Sequence, residues 1–168
     1  WKRIKDTTAT SFTDSAVSVN QTKTYTIRCI DQKGNTISGF NSTGWSKKYT
    51  PVAPTITRLS NTSKGVSVTW NKIAGVYGYR LYQKTSNGWK RIKDTTATSY
   101  TDSTVSANQT KTYTIRCIDK KGKTVSGFYS NGWSKKYTAA TPKITKLTNR
   151  SKGVSVTWNK IAGVYGYR

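Results

Sequence analysis

Trp1-Lys-Arg-Ile-Lys-Asp-Thr-Thr-Ala-Thr returns as Trp89-Lys-Arg-Ile-Lys-Asp-Thr-Thr-Ala-Thr, an offset of 88 residues. Laid over residues 89–168, residues 1–80 differ at 15 of 80 positions, and most exchanges are mild: Phe12/Tyr100, Ile37/Val125, Arg58/Lys146. Residues 81–88 occur once. A long fixed period means that one structural unit is copied, so the ends of the chain need not be the ends of a unit. A period of this length suits a small independent core.

Within the period there is no helical spacing of apolar residues. Short stretches rich in Val, Ile, Thr, Tyr and Trp alternate with Gly, Asn, Asp and Ser, the pattern of an all-β sandwich. From Pro54 the expected strands are 55–60, 65–71, 78–83, 89–94, 99–102 and 112–119, with a last strand over 124–129 and 133–138 broken at Ser130-Asn-Gly. Thr85-Ser-Asn-Gly88 carries the Asn-Gly hairpin signal. Period-2 spacing puts Val66, Val68 and Trp70 on one face, and Tyr113, Ile115 and Cys117 on another. The expected core is Ile56, Leu59, Val66, Val68, Trp70, Tyr79, Leu81, Ile92, Tyr100, Val105, Tyr113, Ile115 and Cys117, with Trp158 as the second copy of Trp70.

The order of Trp70 in the second strand, Gly78-Tyr-Arg-Leu-Tyr in the third, Thr98-Ser-Tyr-Thr-Asp, and Thr112-Tyr-Thr-Ile-Arg-Cys resembles a fibronectin type III domain. Trp70 matches that family's core Trp, Tyr79 the Tyr beside it, and Tyr113 the tyrosine-corner residue. The Asn87-Gly-Trp-Lys-Arg-Ile and Asp119-Lys-Lys-Gly-Lys-Thr phrasing is similar to tandem repeats in large surface proteins of Gram-positive, gut-dwelling Firmicutes. The resemblance implies one sheet of strands A, B and E and another of C′, C, F and G. It implies a complete domain over 54–141, a back half (C′ to G) over 1–53, and a front half (A to C) over 142–168. The two halves are complementary and are expected to meet within one chain or between chains, the latter head to tail. With no initiating Met or signal peptide, the sequence reads as a slice of something longer.

Chemistry finds few candidates. The chain has no His and no Glu, and its six acids are all Asp, three per copy. A general base, a paired-carboxylate site, a calcium cage and a zinc cluster all lack their residues. No catalytic residue and no cofactor is expected. Asp102 and Asp119 are read as turn acceptors. Cys29 and Cys117 occupy the same repeat position and are read as buried free thiols, small apolar residues rather than disulfide partners. No apolar run is long enough for a transmembrane helix.

Against six acids stand 29 Lys and Arg, a formal net charge of +23. That balance suits solubility or an anionic partner: cell-wall polymer, acidic glycan, nucleic acid or membrane surface. In Trp89-Lys-Arg-Ile-Lys, alternation places Trp89, Arg91 and Lys93 together as an aromatic-and-cation platform for a sugar or an acidic group. The structural alternative is a lysine-guarded edge strand. Trp133-Ser-Lys135-Lys136 is a second cluster, and Trp1, Arg3 and Trp45 are the first-copy equivalents. Nucleic acid ranks last among the partners, since charge speaks for it and no binding signature does. The resulting expectation is a non-enzymatic extracellular spacer, stalk or filament segment whose partners are neighbouring copies of the repeat. The alternative is an adhesin-type module for acidic glycans or cell-wall polymers.

Overall fold

The computed structural model describes residues 1–168, all in β-strands and their connections. Eleven strands form: β1 Thr22–Tyr25, β2 Trp45–Lys48, β3 Ile56–Thr62, β4 Gly65–Trp70, β5 Gly78–Thr85, β6 Gly88–Thr95, β7 Ser99–Asp102, β8 Thr110–Ile118, β9 Trp133–Lys136, β10 Ile144–Arg150 and β11 Gly153–Trp158. Strands β3-β4-β7 make a three-stranded antiparallel sheet, and β6-β5-β8-β9 a four-stranded one. They face each other as the A-B-E and C′-C-F-G sheets of a fibronectin type III-like β-sandwich.

Each core residue expected within residues 54–141 lies in the cluster between these sheets or packs against it. Alternation explains why: Val66, Val68 and Trp70 take every second position of β4 and are buried, while Ser67 and Thr69 between them are not. Trp70 meets Tyr79 edge to face, with centroids 5.7 Å apart. The Tyr79 hydroxyl accepts the Ile73 amide at 2.8 Å, tying the β4–β5 loop to the core. Ile73 and Tyr137 join the cluster from outside the expected list.

Two strand expectations are corrected. Residues 124–129 form no strand; only Thr124 bridges to Ile118. The Ser126 side chain takes over the pairing, its hydroxyl accepting the Cys117 amide at 2.8 Å. In β6 the register shifts between the partners of Leu81 and Tyr82. Ile92 is the extra residue of this bulge, and alternation fails beyond it.

The flanking segments repeat the sandwich's pairings without its closure. β1–β2 has the register of β8–β9, and β10–β11 that of β3–β4, including the shift after the first pair. They form separate two-stranded sheets. Identical residues therefore meet opposite environments. Ile115 is fully buried and Ile27 is 85% exposed; Cys117 is buried and Cys29 exposed. Trp158, expected in a core, is 43% exposed, because β10–β11 has no second sheet over it.

Candidate functional site

The outer face of the four-stranded sheet carries the first candidate cluster. Trp89 and Arg91 stand on β6 opposite Lys84 and Tyr82 of β5, on one side of the sheet. Lys93 does not join them. The bulge sets it opposite Leu81, a core residue, and its ammonium lies 6.0 Å from the Tyr100 ring. Arg91 is already engaged: its guanidinium lies 2.8 Å from Asp94, which also takes two 2.8 Å bonds from Arg80. Bonding to Arg80, aided by the charge of Arg91 and opposed by partial burial, holds the Asp94 carboxyl below its ordinary range.

Trp89 is half-buried and lies across the sheet. Its ring tip reaches Gly132, where a Cβ would fall 2.7 Å from it, beside the Thr112 methyl. Gly132 has φ 64°, so a side chain there meets both backbone strain and the indole. The Trp89 ring packs edge to face on Phe128 at 6.3 Å, and the Arg116 guanidinium sits 5.3 Å from the Phe128 centroid. Arg116 is fixed in turn by two bonds to the Ser126 carbonyl, at 3.1 and 2.9 Å. The first copy repeats the arrangement. The tip of Trp1 rests at Gly44, its ring meets Phe40 at 6.1 Å, Arg28 stacks on Phe40 at 3.9 Å, and Arg3 pairs with Asp6 at 2.7 Å.

The second cluster divides. Trp133 pairs with Tyr113 and packs against the core, 5.0 Å from Tyr129. Lys135 lies opposite Lys111, and Lys136 is exposed opposite Thr110. Trp45, the first-copy counterpart of Trp133, is 66% exposed beside Tyr25. The structure thus brings Trp89 together with Phe128, Arg116 and Lys84, three residues not singled out in the sequence. Their available signal was the recurrence of Gly-Phe at 39–40 and 127–128, a loop aromatic with no strand to bury it.

The aspartates do structural work. Asp102, 2% exposed, accepts the Thr104 amide at 2.9 Å, the Thr104 hydroxyl at 2.6 Å and the Tyr113 hydroxyl at 2.9 Å, with the Lys111 ammonium 3.7 Å away. Burial alone would raise its carboxyl; these bonds and the Lys111 charge outweigh it and hold the group below the usual carboxylate range. Burial and the Asp102 charge push the Tyr113 phenol far up. The expected tyrosine corner is therefore closed through a carboxylate. Asp119 caps its turn, accepting the Lys121 and Lys123 amides at 2.9 Å each. No three His, Cys, Asp or Glu side chains come together. Five Lys or Arg residues form an ion pair with an aspartate, and the others form none.

No family model matches the sequence. Over 132 residues the chain is 30% identical to Exoglucanase B of Cellulomonas fimi, an alignment covering 71% of this chain and 12% of that protein. Over 68 residues it is 40% identical to a poly(3-hydroxybutyrate) depolymerase of Ralstonia pickettii, covering 40% and 13% respectively. The chain thus spans only a small part of the length of the curated relatives it matches. A solved structure described as FN3tt mut aligns with a TM-score of 0.41 and 20% identity, over 48% of this chain and 91% of that one. No helix is long and apolar enough to cross a membrane.

Proposed function

We propose that this chain is a non-catalytic structural repeat of an extracellular bacterial surface protein, a spacer or stalk segment in which residues 54–141 are one complete repeat. One observation carries the reading: strand G of each copy passes into strand A of the next across a link of the same length, seven residues. β2 ends at Lys48 and β3 begins at Ile56; β9 ends at Lys136 and β10 begins at Ile144. A sandwich entered at one end and left at the other adds length with each copy. Two named polymer-degrading enzymes among the relatives support a place outside the cell. Small-angle scattering from arrays of two, four and six 88-residue periods tests the reading. Maximum dimension should rise linearly with copy number; growth of radius without length would refute it.

A second reading, a module holding acidic glycans or cell-wall polymers, is supported by the recurrence of the Trp–Phe–Arg surface in both copies under a net charge of +23. Tandem copies would convert weak contacts into avidity. Titration with polygalacturonate and heparin across a salt series tests it. Saturable binding that persists at 0.3 M salt and is lost in Phe128→Ala would support it. Binding to either polyanion that vanishes with salt would reduce it to non-specific attraction.

A further inference from the structure

Residues 142–168 are mostly bare, yet Ile161 is 2% exposed. It is covered where the chain turns back onto the preceding sandwich. The amide of Ala162 donates to the Ser63 carbonyl at 2.8 Å, and the Ala107 amide donates to the Gly163 carbonyl at 2.9 Å. The Tyr137 hydroxyl reaches the carbonyls of Ala162 at 3.0 Å and Thr62 at 3.2 Å. Tyr137 itself is fully buried and held by Asn108 and Gln109: the Asn108 amide donates to its carbonyl at 2.9 Å, and its own amide donates to that of Gln109 at 2.8 Å. Asn108 sits at φ 66°, which turns the loop toward the joint.

One period earlier the loop and tyrosine contacts of this joint recur. The Val19 amide donates to the Gly75 carbonyl at 3.2 Å, and the Tyr49 hydroxyl donates to the Ala74 carbonyl at 2.8 Å. Asn20 has φ 64°, and Ile73, at the place of Ile161, is buried within its own sandwich. The glycine is required on both occasions. A Cβ at Gly75 would lie 2.3 Å from the Val17 carbonyl oxygen, and one at Gly163 would lie 2.4 Å from that of Val105. Both glycines have φ +67°. Backbone lies against backbone, so no side-chain rotation relieves the clash.

From these two matching joints we infer that Ile-Ala-Gly of one repeat is a plug, and that the end of the preceding repeat is a socket built to receive it. The socket is the β3–β4 turn at Ser63, the loop at Ala107 and the tyrosine after strand G. Its partner is another copy of this repeat, recognised by main-chain hydrogen bonds and by a position where only glycine fits. Successive repeats are therefore clamped in one mutual orientation, not strung on hinges, and every added copy turns and rises by the same step. This deepens the spacer reading and rests on it: the stalk is stiff.

Residue-resolved hydrogen exchange on the full chain tests the clamp. In the unmodified chain the Ala107 and Ala162 amides should exchange at least tenfold more slowly than their unstructured rates. Gly163→Leu should speed Ala107 at least tenfold and leave Val68 and Ile115 inside the sandwich unchanged. Tyr137→Phe keeps the ring and removes the hydroxyl, so Ala162 should speed up while Val68 holds. If Gly163→Leu also loosens Val68, the Tyr137→Phe result decides. Unprotected Ala107 and Ala162 in the unmodified chain, or protection that both variants leave untouched, would overturn the clamp. Linear growth of arrays in scattering would survive that outcome, so a failed clamp is separable from a failed spacer.

Discussion

Trp70 and Trp158 are the same residue in the same ten-residue context, one 3% exposed and the other 43% exposed. Replacing each by Ala separates the value of the indole from the value of its surroundings. A buried Trp removes up to about 250 Å² from water, worth about 6 kcal/mol at 25 cal/mol per Å² as an upper bound. Measured Trp-to-Ala losses fall at about 3–5 kcal/mol, since cavities partly collapse. The Trp70 indole nitrogen has no hydrogen-bond partner, so no polar bond offsets or adds to this loss. Trp70→Ala should therefore cost about 3–5 kcal/mol, a large share of a small domain's stability. Trp158→Ala retains the sandwich over 54–141 and should cost it less than about 0.5 kcal/mol, the surface range. Urea unfolding followed by far-ultraviolet circular dichroism reads both, with midpoints compared at constant m. At about 4–8 °C per kcal/mol, Trp70→Ala should lower Tm by more than 10 °C. Equal midpoints for the two variants would refute the assignment of the closed core to residues 54–141.

Three further outcomes follow from the same geometry. The Asp102 carboxyl is depressed in the fold, so its contribution is complete above the unfolded value near 3.9 and fades as pH falls through its lower folded value. The stability lost between about pH 5 and pH 2 should thus be smaller in Asp102→Asn than in the unmodified chain, as denaturant midpoints across that range will show. The two thiols should differ, since burial pushes Cys117 up and encloses it while Cys29 is exposed. A thiol reagent at pH 8 should label one equivalent rapidly and the second only on unfolding; two fast equivalents would contradict the packing. Gly132→Val should destabilise the sandwich by more than about 1 kcal/mol through positive φ and collision with the Trp89 ring, and pairing it with Trp89→Ala should restore part of the loss.

The sandwich was legible because alternation is local. Val66, Val68 and Trp70 announce a buried face without knowledge of what covers it. The bulge at Ile92 was not legible, since a register shift is a property of two strands and β6 alone reads as regular. It took Lys93 away from Trp89 and Arg91. The first half of the last strand failed for a related reason: Ser126 supplies through its hydroxyl the bond that a backbone carbonyl was expected to supply. Trp158 and Cys29 carry the same alternating pattern as their buried copies, but burial belongs to the opposing sheet and not to the residue. The candidate surface was half visible. Trp89 stood out by composition, whereas its reach to Gly132 and Phe128 crosses three strands. Tyr137, which follows β9, carries no pattern of its own: the Asn108–Gln109 loop holds it in the core, and only its hydroxyl reaches the neighbouring repeat.

The central claim is that consecutive repeats meet end to end at one fixed geometry. The exposed Cys29 and a cysteine placed at exposed Ser130 lie on opposite sides of the first joint. Pulsed dipolar spectroscopy between spin labels at these two positions measures the spacing directly. The account predicts a single distance peak no broader than the labels themselves impose, unchanged between low and high salt. A broad distribution, or one that shifts with salt, would contradict it.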